Sequence, residues 1–318
     1  MRGLVTVLLG AALCGMGGCA APAGTGSMTI PQTPTVDVPT IGVSGVLRVG
    51  VDSTHAPFAG MSKGSIIGID IDIAAALADH LGLKLEIVDM AGQTPETLLS
   101  SGSVDLIMAV DPSNNTFTTQ PLLVGPYLLD GPALFTVSVS STPTAVELSS
   151  LAGATVLAQQ DSVSAWAVGE RIGASSVKTV TSLAEAFDQL AAGTASYAAS
   201  DALLGTFLAL DYEDVVCTQI IDEPLGIYLG VSGSNQALAD SLVGALQEVR
   251  DNGVLELLIT KWLGPRSASV VFTTQAIVST SAAAAGQAPT GSTPPASTGT
   301  PSSDTGDDLP DPSLAGGS

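Results

Sequence analysis

Positive charge is what this sequence has least of: 9 Lys and Arg stand against 30 Asp and Glu, a formal net charge of -21 over 318 residues. A surface so acidic repels phosphate backbones, which excludes nucleic acid as a partner and leaves charge no part in any membrane contact. Histidine is nearly absent, with only His55 and His80. His55 lies in a loop. His80 lies near the end of a helical pattern, where it suits the C-terminal dipole or simply packs. Two histidines so placed, with one cysteine to spare, make no metal site. They are also too few for a convincing Ser-His-Asp triad, and no Gly-x-Ser-x-Gly elbow occurs. No metal, no cofactor and no catalytic group is therefore expected.

Cysteine is scarce too, at 3 residues: Cys14, Cys19 and Cys217. The first two belong to an N-terminus that reads as a targeting segment. Arg2 is followed by an apolar run, Leu4 to Leu13, too short to span a bilayer comfortably and suited to a signal-peptide core. It ends in Met16-Gly17-Gly18-Cys19, which resembles the bacterial lipobox whose cysteine receives the lipid. The small residues Ala20, Ala21 and Ala23 also suit ordinary cleavage; the lipoprotein is the favoured of the two readings. Residues 1–18 are then the signal peptide and 19–45 a lipid anchor and flexible tether, rich in Pro, Thr and Gly. Cys217 is left alone, without a disulfide partner, as a buried residue of a strand. No second segment is long enough to cross a bilayer. At the other end, residues 279–318 are Ala, Gly, Ser, Thr and Pro with a few Asp. Such a stretch buries too little apolar area to offset its conformational entropy, and a disordered tail is expected.

The segment between alternates short β-rich runs with helical patterns. Strands are expected at 46–51, 83–88, 104–110, 154–158, 195–200 and 226–231. Helices are expected at 69–81, 94–101, 163–172, 182–192, 202–210, 235–251 and 254–263, several closed by Gly. The run 104–110 is apolar except for Asp105, as in a parallel strand covered on both faces. The alternation implies an α/β fold of mainly parallel sheets with right-handed crossovers.

Eight segments, in order, carry a resemblance. They are VLRVGVDSTHAPF (46–58), GIDIDIAAALADHLGLKLEIV (68–88), SGSVDLIMA (101–109), Gly125-Pro126-Tyr127, LAEAFDQLAAG with SYAASD (183–201), EPLGIYLGV (223–231) and VRDNGVLELLITKWLG (249–264). Together they resemble the family 3 extracellular solute-binding proteins, receptors of ABC importers for polar amino acids. The resemblance implies a type II periplasmic-binding-protein fold: two α/β lobes, two crossing hinge strands and a ligand between. Lobe one is expected at 45–130 plus 226–264 and lobe two at 136–221. It further implies a monomer outside the cytoplasm, on the cell surface or in the periplasm, that serves an ABC permease.

The family's binding positions carry over as follows. The aspartate and aromatic of the first loop correspond to Asp52 and His55, with Phe58 close by. The second loop corresponds to Ala109, Val110, Asp111 and Pro112. The arginine that grips the ligand carboxylate falls on Phe117. The lobe-two loop corresponds to Asp161, Ser162 and Val163, followed by Ser164. The aspartate that binds the ligand ammonium corresponds to Asp201. No Lys or Arg lies between Lys84 and Arg171 to replace the lost arginine, whose fork is the usual partner of a carboxylate. Asp52, Asp111, Asp161 and Asp201 would then line an acidic cleft awaiting a cation, with Phe58, Phe117 and Trp166 as aromatic surfaces. The ligand class expected is a small polar or cationic solute such as an amine, polyamine or quaternary ammonium compound. Some of these carboxylates could instead cap helices or face solvent, Asp161 above all. Other readings stay open, among them an unrelated neutral ligand, and two that change the role of the chain. One is a degenerate receptor acting as a sensor or scaffold subunit. The other, more remote, is a dehydratase-like enzyme, although such enzymes act on carboxylates and would also need the missing arginine.

Overall fold

The computed structural model describes residues 33–113, 117–138, 145–151 and 153–266, and the backbone of 279–281. The expected signal peptide, Cys19, the first part of the tether and most of the tail lie outside the described residues. In chain order, β1 (Val46–Val51) leads through a hairpin, β2 (Gly60–Ser62) and β3 (Ser65–Ile67), into α1 (Ile69–His80). β4 (Lys84–Asp89), α2 (Pro95–Ser101) and β5 (Leu106–Val110) follow. β6 (Leu122–Asp130) and β7 (Pro132–Val137) make one long run broken at Gly131. Next come β8 (Val156–Gln159), α3 (Val163–Ile172), β9 (Val177–Val180), α4 (Leu183–Ala191), β10 (Tyr197–Asp201) and α5 (Ala202–Leu208). β11 (Val215–Ile220) and β12 (Leu225–Val231) make a second long run, and α6 (Gln236–Asp251), α7 (Val254–Leu263) and β13 (Ser279–Ser281) finish the chain.

Local chemistry accounts for the helix boundaries. Ser162 and Ser182 each accept the third backbone N–H of the following helix, from Ala165 and Glu185, and Asn235 does the same for Leu238. α2 starts behind the cap of Thr94 with Pro95 in its first turn, and ends on left-handed Gly102.

The strands form two principal sheets, ordered β13-β6-β12-β5-β1-β4 and β11-β7-β10-β8-β9. In each, the strands linked through helices pair in parallel: β4, β1 and β5 in the first, β9, β8 and β10 in the second. The long runs pair antiparallel, which the sequence pattern alone did not show. Each long run leaves one sheet and enters the other, so the chain crosses twice. At the first crossing Gly131 sits at φ 142 with Ile220 only 3.1 Å from where a Cβ would stand. The second crossing touches it there, with the Ile221 N–H donating to Pro132 O at 2.7 Å.

An ion pair locks β1 to the start of β5. Arg48 Nη2 and Nε reach the two oxygens of Asp105 at 2.8 and 3.2 Å. The same carboxylate accepts the backbone N–H groups of Gly42 and Arg48 at 2.9 Å each. Arg48 Nη1 also donates to Gly102 O and Ser103 O. On the other face, Asp72 clasps α1 to α7 by accepting Lys261 Nζ at 2.8 Å and Trp262 Nε1 at 2.6 Å. Cys217 lies fully buried in β11, and burial pushes its thiol up to about 12.

Two boundaries differ from expectation. Residues 33–44 were expected in the flexible tether and are instead docked. Thr35 N–H donates to Leu81 O at 3.0 Å, Asn235 Nδ2 to Thr40 O at 2.8 Å, and Ile41 is 1% exposed. The composition is that of a linker, but burying Ile41 and packing Val36 against the core outweigh it. Secondly, Ser279–Ser281, placed at the head of the disordered tail, pair antiparallel with Leu123–Gly125 of β6. An unpaired sheet edge offers those hydrogen bonds to any extended segment.

Candidate ligand-binding site

The candidate residues sit where strands of the two sheets end. Asp52 follows β1, Asp111 follows β5, Ser162 and Ser164 open α3 after β8, and Asp201 ends β10. Ligands in open α/β sheets bind at such carboxyl ends.

Asp201 and Ser164 are brought together: the Ser164 hydroxyl, on a residue 1% exposed, donates to Asp201 Oδ1 at 2.8 Å. The field of Asp201 extends in two further directions. It raises the imidazole pKa of His55 in the first loop, as Asp52 does, against the larger lowering caused by desolvation. It also helps push up Asp130, the last residue of β6, whose carboxyl lies at about 7, chiefly through desolvation. Asp130 Oδ1 accepts the N–H of Leu203 at 3.0 Å at the start of α5. The contact at this point is that of Ser164 with Asp201, and the charge of Asp201 is a minor influence beside desolvation at His55 and Asp130. Asp130 was not anticipated. Its only signal in the sequence is a carboxylate closing the apolar run LLVGPYLL just before Gly131.

The other candidates are arranged differently. Asp52 is exposed and turns onto its own loop, accepting Thr54 N–H at 3.0 Å and Thr54 Oγ1 at 2.7 Å. Asp111 does likewise with the N–H and hydroxyl of Ser113, at 2.8 and 2.7 Å. Both are loop-stabilising Asx turns. Asp161 is exposed at φ 59, and Ser162 is occupied by its capping bond. His55 tilts over Phe58 with ring centroids 4.9 Å apart. Phe58 and Val110, 5% and 6% exposed, belong to the hydrophobic clusters. Phe117 is half-buried and packs onto the cluster of Leu98, Ile107, Val110 and Leu123. Val163 and Trp166 stand exposed on α3. Trp166 lies two residues past Ser164 on the same helix. Ala109 is partly buried, in a left-handed conformation at φ 54.

None of the ion pairs among the described residues involves Asp52, Asp111, Asp130, Asp161 or Asp201. Among the described residues no group of three or more His, Cys, Asp or Glu side chains is placed to hold a metal ion, and no helix is long and apolar enough to cross a membrane.

A model of the bacterial extracellular solute-binding proteins, family 3, matches residues 47–265. The chain belongs to that family. A curated relative, the probable ABC transporter arginine-binding protein ArtJ of Chlamydia trachomatis, is 24% identical over 67% of this chain and 84% of its own length. The L-cystine solute receptor of Neisseria gonorrhoeae, in an unliganded open conformation, aligns with a TM-score of 0.58 at 21% identity, over 69% of this chain and 93% of its own. An ancestral cationic amino acid solute-binding protein aligns with a TM-score of 0.56 at 24% identity, over 69% and 96%. The two-lobed type II fold is common to these family 3 relatives, and the two sheets joined by two crossings are its form here. Family membership makes the chain an extracytoplasmic binding protein for small molecules, in a family of solute receptors that are generally not enzymes.

Proposed function

We propose that this chain is a lipid-anchored receptor that captures a small cationic solute lacking a free carboxylate and presents it, as a monomer, to an ABC permease. Capture proceeds by closure of the two lobes, which removes the solute from water and strengthens each polar contact to it. One observation carries the reading. Asp201 is held by Ser164 at the end of β10, and the position that the resemblance aligns with the family's carboxylate-gripping arginine holds Phe117, half-buried against a hydrophobic cluster. ArtJ is named for arginine, so it favours a positively charged solute; arginine also carries a carboxylate, so the absence of one rests on Phe117 alone.

In an effective dielectric near 20, a cation about 4 Å from Asp201 gains about 4 kcal/mol before desolvation. Asp201→Asn keeps an oxygen for Ser164 and removes only the charge. Calorimetric titration with spermidine, putrescine, choline, arginine and glutamine should find an amine ligand for the parent protein. The variant should bind it at least tenfold more weakly with an unchanged melting temperature. Tight binding of glutamine that survives Asp201→Asn overturns the reading. If no small molecule stabilises the parent at all, the degenerate receptor with a sensor or scaffold role is the better reading.

Anchoring is tested separately. Cys19→Ser should release the protein from the membrane fraction and abolish incorporation of labelled fatty acid; continued labelling rules the anchor out.

A further inference from the structure

Two irregularities in the first sheet flank the same point of β12. On one side Tyr228 pairs with Val110 and Gly230 with Ile107, so Met108 and Ala109 of β5 both lie opposite Leu229. This is a β-bulge, and Ala109 occupies its left-handed position at φ 54, where glycine is the usual resident. On the other side Ile227 pairs with Leu128 and Leu229 with Val124, so Gly125, Pro126 and Tyr127 of β6 all lie opposite Tyr228. A hydroxyl joins the two bulges. Tyr127 OH accepts the Ala109 N–H at 3.0 Å and donates to Asp70 Oδ1 at 2.7 Å. Tyr127 and Asp70 are each 1% exposed. The Asp70 backbone N–H in turn donates to Phe58 O at 3.0 Å, in the first candidate loop.

We infer that Tyr127, braced by Asp70, is a positioning residue: it holds Ala109 in its strained conformation and so fixes the path by which Val110 and Asp111 leave β5 for the cleft. The inference deepens the proposed function, because it takes the loop after β5 to face the solute. A bulge commonly re-aims a strand end beside a functional site. What is unusual is that this one is stabilised from a third strand, across β12, by a side chain with no other described hydrogen-bonding role. The same brace reaches the first loop through Asp70, so one buried chain of hydrogen bonds sets both loops that lobe one offers to a solute.

The test needs no ligand and so stands or falls independently of the solute reading. Tyr127→Phe removes the hydroxyl and keeps the ring. In the parent background it should lower the melting temperature by several degrees and speed amide exchange at Ala109 at least tenfold, while amides of α1 such as Leu77 keep their protection relative to global unfolding. Glycine adopts this conformation without strain, so in an Ala109→Gly background Tyr127→Phe should cost less than half as many degrees. A residue that only packs would cost the same in both. Equal losses, or unchanged exchange at Ala109, overturn the inference. If Tyr127→Phe does not fold, Asp70→Leu strips the brace from an intact tyrosine, and Ala109 exchange must again accelerate for the inference to hold.

Discussion

Asp105→Ala is expected to lower the stability of the folded region by about 3–5 kcal/mol, the cost typical of removing one partner from a buried ion pair. The Asp105 side chain is 4% exposed and that of Arg48 13%. Losing the carboxylate strands a guanidinium and leaves the backbone N–H groups of Gly42 and Arg48 without their acceptor. Urea unfolding should show a lower midpoint with an unchanged slope. A buried pair is not in itself a net gain, so Arg48→Met combined with Asp105→Leu should recover much of the loss. A double variant no more stable than Asp105→Ala would show that the two amides of Gly42 and Arg48, rather than the stranded charge, account for the cost.

The second large effect concerns pH. Burial raises the Asp70 carboxyl to about 8, against the larger part of which the Tyr127 hydrogen bond acts only weakly. Between about pH 4 and pH 8 the folded state therefore keeps a proton that the unfolded chain has released. Stability from this group is full below the unfolded pKa and is lost as pH rises through the folded one, by up to roughly 1.4 kcal/mol per pH unit. Asp70→Asn retains an oxygen for Tyr127 and cannot ionise. Between pH 5 and 8.5 the parent should lose several degrees of melting temperature more than the variant, and at pH 8.5 the variant should be the more stable of the two. Part of the slope will remain in the variant, because Asp130, raised to about 7, contributes in the same direction. Parallel curves for parent and variant would show that Asp70 is ionised in the fold at neutral pH.

These two aspartates also mark how far the sequence could be read. Asp105 stands out there as the single polar residue of an apolar run, but its partner, Arg48, appears only in the fold. β1, α3 and α7 occupy the spans that periodicity and capping predict, because each has an unambiguous period bounded by Ser, Gly or a turn. Cys217 is equally legible as a strand interior. Asp70 falls inside the helix expected at 69–81, but no periodicity shows that its partner is a tyrosine 57 positions away. Ala109 carries no mark of its left-handed conformation, since alanine is not a residue that signals one. The docking of 33–44 is masked by its two prolines and three threonines, while Ile41 and Val36 decide the outcome.

At the site, residue types were legible and directions were not. Asp52, Asp111 and Asp201 are equivalent as letters. Only the fold separates two carboxylates turned back onto their own loops from one held by Ser164. Phe117, expected as an aromatic surface, is half-buried against the cluster of Leu98, Ile107, Val110 and Leu123.

The solitary thiol of β11 has a practical consequence. Maleimides react with thiolates, and Cys217 is both inaccessible and held in its protonated form far above neutral pH. A soluble form beginning at residue 33 carries no other cysteine. Two reporter cysteines, one at exposed Met61 and one at exposed Leu204, would therefore take up fluorophores without background labelling. Energy transfer between the dyes would then report, molecule by molecule, whether an added amine draws the halves together.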